Sequence, residues 1–182
     1  GALTTGLGSS NLKLPQSLGG NEIEANWTLD NQPKKLYLLR AYNSFQNGTG
    51  DRIVVFNSEN KMASCFVNTN IGLFLTIPDL QLNSAPKSAV NYTLQNGTDV
   101  FLFGSEDDNL KMWNLSNNTV QDCTNLRVTS LCTHYERVFA TVGGSRTRIW
   151  FSDELDPTNW SAETNAGGYI DLADKAQGGA NK

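Results

Sequence analysis

The sequence predicts an all-β chain: a β-propeller, or a partial propeller of about three to four blades built from antiparallel hairpins. Composition points that way first. Of the 182 residues, 38% are hydrophobic and only 18% charged, below the usual quarter. Asn, Thr, Ser and Gly fill the gap, and these are residues of turns and strand edges rather than of helices. The second observation is a succession of short apolar runs separated by turn signals. The third is a hairpin pattern that recurs three times. A β-sandwich with similar hairpins is the alternative architecture.

Residues 1–20 are rich in Gly and Ser and read as an extended arm. A propeller-like domain is expected over 21–172, as part of a longer protein or as a whole, with a disordered or truncated tail over 173–182. Within the domain a weak strand is expected at Glu22–Leu29, turned by Asp30-Asn31-Gln32-Pro33. Lys35–Tyr42 is apolar on both faces, as a central strand is. Arg52–Phe56 and Met62–Val67 form a hairpin, and Ile71–Ile77 is a further apolar run stopped by Pro78. Ala89–Leu94 meets Val100–Phe103 across Asn96-Gly97, a strong reversal signal. Leu110–Leu115 returns behind the acidic tip Glu106-Asp107-Asp108, and Val120–Cys123 is a short outer strand. Val128–His134, Val138–Val142 and Arg146–Phe151 follow, the last two joined by Gly143-Gly144-Ser145, where glycine reaches positive φ without a Cβ clash. Asp156-Pro157 turns the chain towards Trp160, and Tyr169–Leu172 is the last expected strand.

The repeated hairpin begins at Asp51, Thr98 and Glu136, at spacings of 47 and 38 residues. Those spacings bracket the roughly 40–50 residues of a propeller blade. Each copy is an apolar strand, a polar turn and a return strand.

Charge and chemistry exclude several function classes. The net charge is −4 and the basic residues are scattered, whereas a nucleic-acid binder concentrates them on one face. No run approaches the roughly 18 apolar residues of a membrane span, and the polar N-terminus does not read as a signal peptide. Cys65, Cys123 and Cys132 make an odd count without a close pair, so they read as small, partly buried, reduced residues. Seven N-x-[ST] triplets, headed by Asn26, Asn47, Asn91, Asn96, Asn114, Asn117 and Asn159, read as a by-product of an Asn- and Thr-rich composition. His134, the single histidine, lacks a nucleophile-elbow partner and reads as structural. The acidic tip Glu106–Asp108 lacks the alternating spacing of a calcium loop and reads as a solvated hairpin tip; Asp153, Glu154 and Asp156 invite the same comparison, but Asp153 is expected to accept hydrogen bonds from turn amides. No catalytic residue, cofactor site or metal site is therefore expected. Contact with a partner or a glycan falls to Trp27, Trp113, Arg146 and Arg148; the two arginines share a strand face with Trp150 and are placed to stack on aromatics.

The stretches Glu136-Arg-Val-Phe-Ala, Arg148-Ile-Trp-Phe-Ser-Asp and Asp156-Pro-Thr-Asn-Trp160 resemble propeller-type structural proteins of tailed bacteriophages and prophages. Leu14-Pro-Gln-Ser-Leu-Gly-Gly-Asn-Glu22 is similar to their N-terminal segment. The resemblance implies a non-enzymatic virion component of the tail or neck, made in the bacterial cytoplasm. It would act as a rigid β scaffold through contacts with other virion proteins. A homo-oligomer is compatible with it, and a carbohydrate-binding, receptor-recognising tail module is the alternative reading.

Overall fold

A computed structural model describes residues 33–39, 52–57, 59–66, 75–76, 80–161 and 167–172. The expected arm at 1–20, the strand at Glu22–Leu29 and the tail at 173–182 lie outside them. The chain divides into two compact units, 1–85 and 86–182. It is all-β, with no helix among the described residues. Among the described residues twelve strands form three four-stranded antiparallel sheets, each a simple meander of consecutive strands.

In the first unit the order is β1 (Pro33–Leu39), β2 (Arg52–Asn57), β3 (Met62–Phe66) and β4 (Leu75–Thr76). β1 starts two residues before the expected Lys35, and of the apolar run Ile71–Ile77 only Leu75–Thr76 is described as strand. Val54, Val55 and Phe56 are consecutive and all buried, so β2 is covered on both faces. The β2–β3 turn places Asn60 at φ 61°. Its side chain donates to the carbonyls of Leu82 and Asn83, while Gln81 Nε2 donates to the Glu59 carbonyl at 2.6 Å. These bonds fix the turn against the 80–83 segment.

The second unit holds β5 (Ser88–Thr93), β6 (Asp99–Gly104), β7 (Leu110–Asn114) and β8 (Thr119–Thr124), then β9 (Val128–His134), β10 (Arg137–Val142), β11 (Ser145–Phe151) and β12 (Gly168–Asp171). The three sequence repeats are the central hairpins β2–β3, β6–β7 and β10–β11, each with one strand added on either side. Between β5–β8 and β9–β12 lies one core: Tyr92, Val100, Leu102, Leu110, Met112 and Cys123 from the first sheet, Val128, Leu131, Val138 and Ala140 from the second, and Trp160 beyond. The two sheets approach most closely at their first strands, with β9 lying against β5 and β6. There the amide of Leu131 donates to Ser88 Oγ at 3.0 Å. Phe101, Phe103 and Trp113 alternate with the core residues and are buried too, so β6 is enclosed along its whole length.

Turn chemistry explains a feature of the composition. In four N-x-[ST] triplets the Asn Oδ1 accepts from the backbone amide two residues on: Thr98 to Asn96, Ser116 to Asn114, Thr119 to Asn117 and Ser161 to Asn159, at 2.9–3.2 Å. Asp156 does the same for Thr158 at 2.9 Å. The triplets are Asx turns, in which a short side chain supplies the acceptor that a reversing backbone lacks.

Candidate functional site

Three turns converge at one end of the second unit. β9 and β10 are joined through Tyr135 and Glu136, both left-handed at φ 43° and 61°. Consecutive positive φ values make a type I′ reversal, which suits the twist of a hairpin but usually uses Asn or Gly. Here tertiary bonds hold the strained pair. The Glu136 carbonyl accepts from the Tyr92 hydroxyl and from the Leu155 amide. The Leu155 carbonyl in turn accepts from the Gln95 amide at 3.3 Å, linking the β5–β6 turn. Tyr135 projects from the tip, 82% exposed. His134 is exposed at the end of β9, its ring edge-on to Tyr135 with centroids 4.1 Å apart.

The loop after β11 is fastened to the same hairpin. Ser152 Oγ accepts from the Val138 amide at 3.0 Å and donates to the Asp153 carbonyl at 2.9 Å, which commits the hydroxyl to the backbone. Asp153 Oδ1 accepts from the Glu154 amide at 2.7 Å, the role expected of it. Arg137 donates to the Ser152 carbonyl at 2.8 Å and lies 3.8 Å and 3.9 Å from the carboxylates of Asp153 and Glu154. Trp160 Nε1 donates to the Pro157 carbonyl at 2.6 Å, closing the loop over the core.

A second locus lies on β11 and β12. The register sets Trp150 opposite Tyr169 and Arg148 opposite Asp171. The Arg148 guanidinium sits 3.7 Å from the Tyr169 ring centre and 5.6 Å from that of Trp150. It also makes a two-pronged bond to Asp171 at 2.7 and 2.8 Å. That bond holds the Asp171 carboxyl below its ordinary value and raises the guanidinium further.

The sequence-named residues separate under this geometry. Arg148 stacks on an aromatic, as its alternation with Trp150 suggested. Trp113 is 1% exposed and its Nε1 donates to Asn118 Oδ1 at 2.9 Å, so its ring is not presented to solvent. Trp27 and the side chain of Arg146 lie outside the described residues. The acidic tip is a folded turn: Ser105 Oγ donates to Asp108 Oδ2 at 2.6 Å and accepts from the Asp107 and Asp108 amides. Among the described residues no group of three or more His, Cys, Asp or Glu side chains could hold a metal ion. Of the two described thiols Cys123 is buried, but Cys132 is exposed rather than partly buried, because its position on β9 faces away from the core. The sequence reading missed Tyr135, whose turn lacks a turn-forming residue, and Tyr169 and Asp171, whose partners lie across a strand pairing.

No family model and no curated relative matches the chain. Among solved structures it is similar to a "putative exo-beta-1,3-galactanase" from Bifidobacterium bifidum s17, at 10% identity and TM-score 0.45. That match covers 78% of this chain and 54% of the other. A humanized mutant of the Chaetomium thermophilum Polycomb Repressive Complex 2 aligns at 12% identity and TM-score 0.38, over 73% of this chain and 34% of that one. The chain thus spans about half and a third of the lengths of these two structures, and likenesses of this strength carry no functional argument.

Proposed function

We propose that the chain is a non-enzymatic structural protein of a tailed-phage or prophage particle, working as a rigid β scaffold for contacts with other virion proteins. In this reading β5–β8 and β9–β12 are neighbouring blades of propeller type. The observation that carries it is the approach of the two meanders at their first strands around one shared core. Blades fan out from an axis in this way, whereas the two layers of a sandwich stay face to face along their length. The polar groups that hydrolytic chemistry would recruit have mechanical duties here: Ser152 ties β10 to the following loop, and Asp153 caps a turn. The site of contact is the braced end bearing Tyr135, a large ring held out on a stiff tip at little entropic cost to a partner. The resemblance at residues 136–160 supports a virion as the setting.

The test is an antibody raised against the chain, applied to tailed particles purified from cells that encode it. Labelling at the tail or neck is expected, and Tyr135→Ala should reduce incorporation of the protein. Intact particles that lack the protein would overturn the reading. The glycan-binding alternative draws on one observation, the 45% exposed Tyr169 beside Arg148 and Asp171. Binding on a glycan array abolished by Tyr169→Ala would favour it instead.

A further inference from the structure

We propose that Asn96, in the β5–β6 turn, is a site of spontaneous covalent modification: the Gly97 amide nitrogen attacks the Asn96 side-chain amide, and the product is aspartate or isoaspartate. The inference goes beyond the scaffold reading and does not depend on the virion setting. The reaction consumes one water and releases one ammonia. The Gly97 nitrogen gives its proton to a solvent base and bonds to Asn96 Cγ. The Cγ–Nδ2 bond then breaks, and Nδ2 leaves as ammonia with a proton from water. A five-membered succinimide remains, which water opens at either ring carbonyl. Cleavage of the new Cγ–N bond leaves aspartate on an unchanged main chain. Cleavage between the Asn96 carbonyl carbon and the Gly97 nitrogen leaves isoaspartate, with the main chain running through the side chain. Nothing is oxidised or reduced.

Three features of the turn favour this chemistry. Asn96 and Gly97 are both exposed, so water reaches the nucleophile, the leaving group and the ring. Gly97 has φ 80°, and a Cβ built on it would meet nothing within 4 Å. Its amide, which donates to the Leu94 carbonyl at 2.8 Å, can therefore swing towards Asn96 Cγ without striking a side chain. Asn96 Oδ1 accepts from the Thr98 amide at 3.0 Å. That donor polarises the side-chain carbonyl and meets the negative oxygen that forms when Cγ is attacked, as an oxyanion hole does.

The other Asx turns headed by asparagine in the second unit share only the last feature. Asn114, Asn117 and Asn159 offer the same polarised carbonyl, through bonds of 2.9, 3.1 and 3.2 Å. The residues that follow them are Leu115, Asn118 and Trp160, each with a side chain beside the attacking nitrogen. Leu115 and Trp160 are buried, and the Leu115 amide donates to the Asp99 carbonyl at 3.3 Å. Asn118 is tethered through its Oδ1 to the Trp113 indole at 2.9 Å. Glycine follows asparagine once more, at Asn47-Gly48, outside the described residues.

Modification reaches the braced end through the main chain. Isoaspartate adds one carbon to the backbone inside the reversal. The neighbouring Gln95 amide donates to the Leu155 carbonyl at 3.3 Å, and the Leu155 amide donates to the Glu136 carbonyl at 2.8 Å. A lengthened turn draws the Gln95 amide out of that chain of bonds and slackens one support of the Tyr135 tip.

Incubation of the whole chain in mildly alkaline buffer, with timed peptide mapping, tests this. The peptide bearing Asn96 should gain one mass unit several-fold faster than those bearing Asn114, Asn117 and Asn159. It should also accept labelled methyl groups from an isoaspartyl methyltransferase. Asn96→Ser keeps a side-chain oxygen for the Thr98 amide but has no amide to lose, and its peptide should show neither change. Hydrogen exchange at Gln95 should quicken in the aged protein and keep the parent rate in Asn96→Asp, whose main chain has the ordinary length. Conversion at Asn96 no faster than at the other three positions, or conversion that requires urea, would overturn the inference. Unchanged exchange at Gln95 in the converted protein would overturn its reach to the tip.

Discussion

Gly104 at the end of β6 faces Val128 at the start of β9 with no room for a side chain: a Cβ on Gly104 would stand 1.8 Å from Val128 Cγ2. The backbone of Gly104 needs no left-handed conformation, so the requirement for glycine there is one of space. It lets the two sheets close at the point where their first strands meet.

Gly104→Ala is therefore expected to destabilise the second unit by about 1–3 kcal/mol through overpacking. Val128→Ala removes the obstructing methyls and alone costs about 1.5 kcal/mol or more in lost burial. The double variant should cost less than the sum of the two, because the new methyl occupies the vacated volume. Urea unfolding of the three variants checks this. Strict additivity would mean that the two residues do not touch.

Ser152→Ala should cost roughly 1–3 kcal/mol, because it strips the Val138 amide of an acceptor in a fully buried position. Trp160→Ala should cost about 3–5 kcal/mol as a large core truncation. Trp160→Phe keeps most of the burial and loses the bond to the Pro157 carbonyl, for about 1 kcal/mol. Thermal or denaturant melts give all three values. The order Trp160→Ala, then Ser152→Ala, then Trp160→Phe is the expectation that matters.

Alkaline pH should loosen the second unit. Burial pushes the Cys123 thiol from 9.0 up to about 12, and the Tyr92 hydroxyl from 10.0 up to about 12. An acid whose pKa is raised by folding keeps its proton more firmly in the folded state. Its stabilising contribution is complete below the unfolded-state pKa and is lost as pH rises through the folded-state value. Stability should thus fall between pH 9 and 12, with Cys123→Ala flattening the lower part of that slope and Tyr92→Phe the upper part. Denaturant midpoints measured along this range provide the test.

The two described thiols should react very differently at neutral pH. Cys132 is exposed and Cys123 is buried with its thiolate disfavoured. In a dilute sample, iodoacetamide should modify Cys132 readily and reach Cys123 only when the second unit opens. Peptide mass mapping after timed quenching distinguishes them, and equal rates at both positions would contradict the packing of β8.

The hairpins were legible because they are local. Val128–His134 was bounded correctly from sequence, and the turns at Asn96-Gly97 and Gly143-Gly144 announce themselves, with Gly97 at φ 80° and Gly144 at φ 84°. What stayed hidden depends on contacts between distant residues. The turn at Tyr135-Glu136 carries no local signal, since its backbone is held by Tyr92 from 44 residues away. Trp113 follows Met112 in an apolar run, and nothing nearby tells which of the two turns to solvent; both are buried. Arg148 and Trp150 share a face by simple alternation, but the ring that receives the guanidinium belongs to Tyr169 on the next strand. Composition alone accounts for the Asn triplets in the sequence, but those headed by Asn96, Asn114, Asn117 and Asn159 each close a reversal of the second unit.

Because each sheet is a meander of consecutive strands, nearly every pairing in it joins neighbours in sequence. Closure of such short loops costs little entropy and favours fast folding. During synthesis, β5–β8 is complete before any residue of β9 has been made, and it then offers a finished surface onto which β9–β12 condenses. Growth on the ribosome can thus proceed sheet by sheet, without waiting for the far end of the polypeptide.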